Sequence, residues 1–214
     1  RSANQHAKVA AAAIIQLLKG EAVNATPVVM NTCYSFVTAT EAMHVASVHQ
    51  YDAAEKTFKT VPGSGGAPVF LEFLEKEIIP LIDRTYRTNP ADRGLLGHSL
   101  GGLFALYVLE ERPGLFQRIV AASPVADWDH DLLFRAMAKL KNLPRPVRLD
   151  LSVGDDEHDV YGFDITAATT AFARKLDELK PANLAYRFTL YPGENHNSVR
   201  FASFPPGLYW VYRP

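Results

Sequence analysis

The chain has 214 residues, 48% hydrophobic and 21% charged, enough for one substantial core and too few for two comfortable domains, so a single domain over residues 1–214 is expected. Its 22 Lys and Arg against 23 Asp and Glu leave a net charge of -1, which supplies no field for holding nucleic acid or an anionic membrane. The single cysteine, Cys33, excludes an internal disulfide and any thiolate-rich metal cluster.

In chain order, residues 3–19 read as a first helix that stops at Gly20. Lys8 to Leu18, behind Arg1 and His6 and ahead of Val23-Asn24-Ala25, has the outline of a signal peptide, but Gln16, Lys19 and Glu21 interrupt it, and an amphipathic helix is the better reading. No apolar run reaches the roughly 18 residues that a membrane-spanning helix needs. The chain therefore reads as soluble, with cytoplasmic and exported compartments both open. Pro27 to Met30 suits a strand, Phe36 to Thr40 and His44 to Val48 are weakly strand-like, and Pro62 to Gly66 is a turn. The glycines of that turn lack the Lys-Ser/Thr and the preceding strand of a phosphate loop, so a plain loop before a helix is expected.

From Pro68 to Tyr86, Phe70, Phe73, Leu74, Ile78, Leu81 and Ile82 recur at helical spacing, which predicts one long helix, kinked at Pro80, with its apolar face on a sheet. Gly94 to Gly97 and Ile119 to Ala122 read as short buried strands. Between them Leu103 to Leu109 is apolar nearly all round and ends at Pro113-Gly114, as a buried central helix would. Val147, Leu149, Leu151 and Val153 alternate with Arg148, Asp150 and Ser152, predicting a strand with one apolar and one more polar face, and Tyr186, Phe188 and Leu190 repeat the pattern. Ile165, Ala168, Phe172, Leu176 and Leu179 form a helical stripe that ends at Pro181. The rhythm of strand, helix and strand predicts the α/β class, with a mainly parallel sheet flanked by helices.

Gly97-His98-Ser99-Leu100-Gly101-Gly102 places the pattern G-x-S-x-G between a predicted strand and a predicted helix. Glycine is expected on both sides because the nucleophile of such a turn is strained and neighbouring backbones pass closely. Ser99 is the candidate nucleophile, and the amide of Leu100, at the positive end of the following helix, is a candidate oxyanion donor. Serine needs a base, and His196 lies in a loop just past the last predicted strand. The acid comes from the end of the preceding strand, where Glu157 is the first choice and Asp156 and Asp155 remain open. Trp128 follows a strand end beside the nucleophile strand and is a candidate wall of the substrate pocket, with packing as the equal alternative. His98, the turn neighbour of Ser99, is grouped with it on the substrate side. Asp127 to Asp131 and Asp155 to Asp159 lack the spacing of a zinc helix or a calcium loop, so neither metal nor other cofactor is expected.

These residues resemble the esterase D-like branch of the α/β-hydrolases, which contains enterochelin and other siderophore esterases, S-formylglutathione hydrolase and mycolyltransferase relatives. The likeness rests on Phe73 to Asp83, Tyr86-Arg87-Thr88, Gly97 to Gly102, Ser123-Pro124 with Trp128-Asp129, Ser152-Val153-Gly154 with Glu157, and Gly193 to Val199. It implies Ser99 as nucleophile, His196 as base and Glu157 as acid, acting on small carboxylic esters or thioesters. Acyl transfer to an alcohol and a non-catalytic, binding-only role are the alternatives on the same fold. In that family a strand ending in a glycine turn precedes the first helix, supplies a second oxyanion amide and lies in the sheet between the counterparts of Pro27 to Met30 and Leu95 to Gly97. The chain, which begins at Arg1, shows no such segment, so the resemblance implies a domain incomplete at its amino terminus, or one in which residues 36–48 stand in.

Overall fold

The computed structural model describes residues 2–36, 42–55, 57–60, 66–160 and 162–213. They fall into two compact units, Arg1–Gly66 and Ala67–Pro214. In the first, the alanine-rich α1 (Ser2–Leu18) ends where Gly20 takes a φ of 71°. Three antiparallel strands follow in the order β1 (Val28–Phe36), β2 (Ala42–Asp52) and β3 (Thr57–Thr60). Asp52 shapes the connection to β3 by accepting the backbone N–H groups of Ala54 and Glu55. The strand expected at Pro27 to Met30 thus runs on to Phe36, and His44 to Val48 lies inside β2. Residues 37–41 and 61–65, which carry most of the remaining expectations for this region, lie outside the described residues.

The second unit holds a parallel sheet in the order β4-β5-β6-β7, formed by Gly94–His98, Arg118–Ala122, Asn142–Asp156 and Ala182–Asn195. Its helices are α2 (Ala67–Phe73), α3 (Ile79–Thr85), α4 (Leu100–Glu111), α5 (Trp128–Ala136), α6 (Ile165–Leu179) and α7 (Val199–Tyr212). On one face, Ile119, Leu149 and Leu151 meet Leu106 and Leu109 of α4 and Phe172 and Leu176 of α6. Each such buried side chain contributes roughly 2 kcal/mol through area removed from water. On the other face α7 crosses so closely that a Cβ at Gly207 would lie 2.6 Å from Asp150 Oδ2.

That crossing covers most of the polar face of β6: Asp150 and Ser152 are fully buried, and Arg148 is half-buried. The charge is tolerated because Arg187 of β7 donates from Nε to Asp150 Oδ1 at 2.6 Å, while its guanidinium lies over Trp210 of α7.

The structure corrects the expectation for the long helix of residues 68–86. Its irregularity is a π-helical turn at Leu74–Ile78, ahead of Pro80, which occupies the first turn of α3. Proline lacks the N–H that an α-helix would require there and crowds the preceding turn, and the wider turn relieves both. The extra residue rotates the buried stripe, so Leu71 enters the core while Leu81 and Ile82 stay exposed.

Strand β4, which leads into Ser99, stands at one edge of the parallel sheet, and the described residues supply no strand on its far side. Where β5 begins, Arg118 and its neighbour in register on β6, Arg148, tie down the end of α7. Arg118 Nη1 donates to the Val211 carbonyl at 2.9 Å while its Nε pairs with Asp92 Oδ1 at 2.7 Å, and Arg148 donates to the carbonyl of Arg213.

Candidate active site

The carboxyl-terminal end of the parallel sheet gathers the chemistry. Ser99 follows β4 directly and has φ 59° and ψ -123°, a conformation that no regular element would give it. It is held by its N–H, which donates to the Ala122 carbonyl at 3.0 Å, and by its own carbonyl, which accepts from Leu103 N–H at 2.9 Å. A Cβ at Gly97 would sit 2.1 Å from the Gly101 carbonyl oxygen, so glycine is obligatory there. At Gly101 a Cβ would meet nothing within 4 Å, and the second close approach is instead at Gly102, 2.9 Å from the Ala122 carbonyl oxygen. The strain falls on the strand side of the elbow and on the helix packing, rather than symmetrically about Ser99.

His196, after β7, reaches Ser99 Oγ from Nε2 at 2.9 Å and Glu157 Oε2 from Nδ1 at 2.6 Å. With a carboxylate accepting at Nδ1, the proton sits on that nitrogen and Nε2 is free to accept from the serine hydroxyl. Of the three acids left open by sequence, Glu157 is the one brought to the histidine. Asp155 instead accepts the Gly193 N–H at 2.7 Å, and Asp156 pairs with Asn195 beyond an irregularity in the β6–β7 ladder. That irregularity is where the chain turns Glu157 inward: a Cβ at Gly154 would lie 2.1 Å from the Glu194 carbonyl oxygen. Thr166 of α6 latches the same loop, donating to the Gly154 carbonyl at 2.7 Å and accepting from Glu157 N–H at 3.2 Å.

Glu157 is fully buried, and its other oxygen, Oε1, accepts from Ser123 Oγ at 2.7 Å and from Gly154 N–H at 2.6 Å. Burial pushes its carboxyl upward, but the hydrogen bonds from His196, Ser123 and Gly154 outweigh that and hold it below the usual glutamate value. His98 packs its ring on that of His196 with centroids 4.6 Å apart, and its Nε2 is buried. Desolvation, helped by the neighbouring histidine, lowers its pKa to about 4, so it is neutral at pH 7. Leu100 is the first residue of α4, so its N–H belongs to the turn that has no intrahelical acceptor. Its side chain joins a small apolar cluster with Val125, Val153, Ile165, Trp128 and Phe163, and the last two rings stack at 5.6 Å. Ser123 and Thr166 are the site residues that spacing alone does not single out. Ser123 belongs to the stretch that carries the resemblance, but nothing in its local pattern reveals a φ of 47° or a partner 34 residues away.

The chain as a whole is similar to known hydrolases. The chain is 30% identical over 160 residues to the ferri-bacillibactin esterase BesA of Bacillus subtilis, covering 68% of this chain and 55% of that protein. To the siderophore triacetylfusarinine C esterase of Aspergillus fumigatus it is 38% identical over 188 residues, covering 74% and 64%. It therefore spans between about half and two-thirds of the length of these curated relatives. Among solved structures, the BES protein from Bacillus cereus superposes with a TM-score of 0.65 at 29% identity, covering 72% of this chain and 57% of that one. An IroE-like serine hydrolase from Shewanella oneidensis gives 0.63 at 28%, covering 72% and 52%. The model of the esterase family, described as "Putative esterase", matches residues 9–208. With nearly its whole length inside that match and a parallel sheet carrying Ser99 on a strand-to-helix elbow, the chain belongs to this esterase family and has the α/β-hydrolase fold.

Proposed function

We propose that this chain carries the catalytic machinery of a serine esterase acting on small carboxylic esters, siderophore esters among them. The observation that supports this reading most is the hydrogen-bonded line from Ser99 Oγ through His196 to Glu157. In the proposed reaction Ser99 Oγ attacks the ester carbonyl carbon as His196 Nε2 takes its proton. The negative oxygen of the tetrahedral intermediate is met by the N–H of Leu100, and Glu157 stabilises the imidazolium without accepting its proton. Collapse breaks the ester C–O bond, His196 gives the proton to the departing alcohol, and an acyl-serine remains. Water, deprotonated by the same histidine, then releases the acid and restores Ser99.

The substrate side of this reading is the aromatic shelf of Trp128 and Phe163 next to Leu100. His98, the other residue assigned there by sequence, backs the ring of His196 and acts at one remove from the substrate. The relatives named for siderophore esters supply the substrate class. Product analysis on a panel of small esters and a triester siderophore, with a competing alcohol present, tests the reading. Free acid and alcohol in equal amounts are expected, with a raised KM in Trp128→Ala. A new ester as the sole product, or no turnover of any ester, would overturn it.

A further inference from the structure

The triad acid is held by more than the histidine it serves. Ser123 follows β5 directly, is fully buried, and has φ 47°, the left-handed region that non-glycine residues rarely occupy. Its backbone is pinned there by its N–H, which donates to the Ser152 carbonyl of β6 at 2.7 Å. Glycine would adopt this turn without the cost, on the order of 1 kcal/mol, that a Cβ incurs. What glycine would not supply is a hydroxyl. We infer that Ser123 is a positioning residue of the triad, whose Oγ–H, donated to Glu157 Oε1, fixes the carboxylate in the rotamer that presents Oε2 to His196.

The geometry gives the hydroxyl a definite task. Glu157 reaches the histidine through the three rotatable bonds of its side chain, and a carboxylate anchored at one oxygen only by Gly154 N–H could still swing. A second donor from a different strand converts that single tether into a fork. The shared oxygen is thereby held between β5 and β6, and the free one points at β7's loop. The other titratable groups near the pair are His98, packed on His196, and Arg200, whose charge is felt at His98. Neither donates to Glu157 among the described residues, so the hydroxyl has no evident substitute.

This inference rests on the esterase reading, and its test keeps the two apart. Ser123→Gly removes the hydroxyl while favouring the backbone conformation, and Ser123→Ala removes it while keeping the Cβ. Both are compared with wild type for ester turnover across pH and for thermal melting. With a reactive wild type, both variants are expected to melt cooperatively and to lose roughly tenfold or more in kcat with KM nearly unchanged, the value of one hydrogen bond to a charged group. Their acid limb is expected at higher pH, because the Ser123 hydrogen bond is one of those that hold the Glu157 carboxyl down, and without it the carboxylate is lost at a higher pH. Full kcat with an unshifted profile in either variant would overturn the inference. So would recovery in Ser123→Gly alone, which would assign the effect to backbone strain. A folded wild type that turns over no ester defeats the esterase reading, and Ser123's role falls with it.

Discussion

The two ends of the four-stranded sheet use charge for different work. At the carboxyl ends, a fully buried Glu157 and a half-buried His196 are hydrogen-bonded in a line that ends on Ser99 Oγ, so their charge bears on a nucleophile. At the opposite end, Arg118 meets Asp92 and the Val211 carbonyl and Arg148 the Arg213 carbonyl, so their charge closes the end of α7. Charged side chains on a sheet edge are therefore not in themselves a site. What separates the ends is whether the charged side chains lead to a nucleophile or only to helix carbonyls and a counter-charge.

That contrast can be broken by substitution. The largest effect is expected from Gly97→Ala, whose Cβ must displace the Gly101 backbone, costing on the order of 3 kcal/mol of stability and abolishing reaction at Ser99. Melting and active-site labelling measured together check it. Glu157→Gln leaves the shape intact but upsets the tautomer of His196, and kcat should fall on the order of 1,000-fold or more, read from single-turnover rates on any ester the wild type accepts. Arg118→Met acts at the other end. It removes a helix closure and an ion pair, lowering stability by about 1 to 2 kcal/mol in a denaturant titration while kcat stays within twofold. A large loss of kcat in that variant would show that the two ends are not independent.

An effect of similar size is expected as a pH dependence. His98 binds a proton only near pH 4 in the folded chain, whereas the unfolded state takes one up near 6.5. Stability is therefore full above about pH 6.5 and falls as pH drops toward 4, by roughly 2 kcal/mol once solvent screening of this partly exposed ring is allowed for. His98→Asn should flatten the slope of melting temperature between pH 7 and 5.

How much of this was legible depends on how local the cause is. The elbow at Gly97 to Gly102 and the order of strand, helix and strand after Gly94 follow from residue types at short range, and Ser99 and His196 are candidates from their places at strand ends, whereas the acid stays open there among Glu157, Asp156 and Asp155. The helix of residues 68–86 was legible in existence but not in orientation, because a π-helical turn before Pro80 rotates the stripe by a residue that no periodicity reveals. The polar face of β6 was legible as such, but not what covers it, since α7 and the neutralising partner, Arg187, lie far along the chain. Ser123 was quoted and given no role for the same reason: its partner is 34 residues away, across a strand.

The central claim is that Ser99, His196 and Glu157 form a working nucleophile. The most direct measurement is the rate of fluorophosphonate labelling, with the adduct mapped by mass spectrometry, in wild type, Ser99→Ala and His196→Ala. Rapid labelling confined to Ser99, absent in Ser99→Ala and slowed on the order of 1,000-fold or more in His196→Ala, is the expected result. A folded protein that does not label, or that labels equally well without His196, would contradict it.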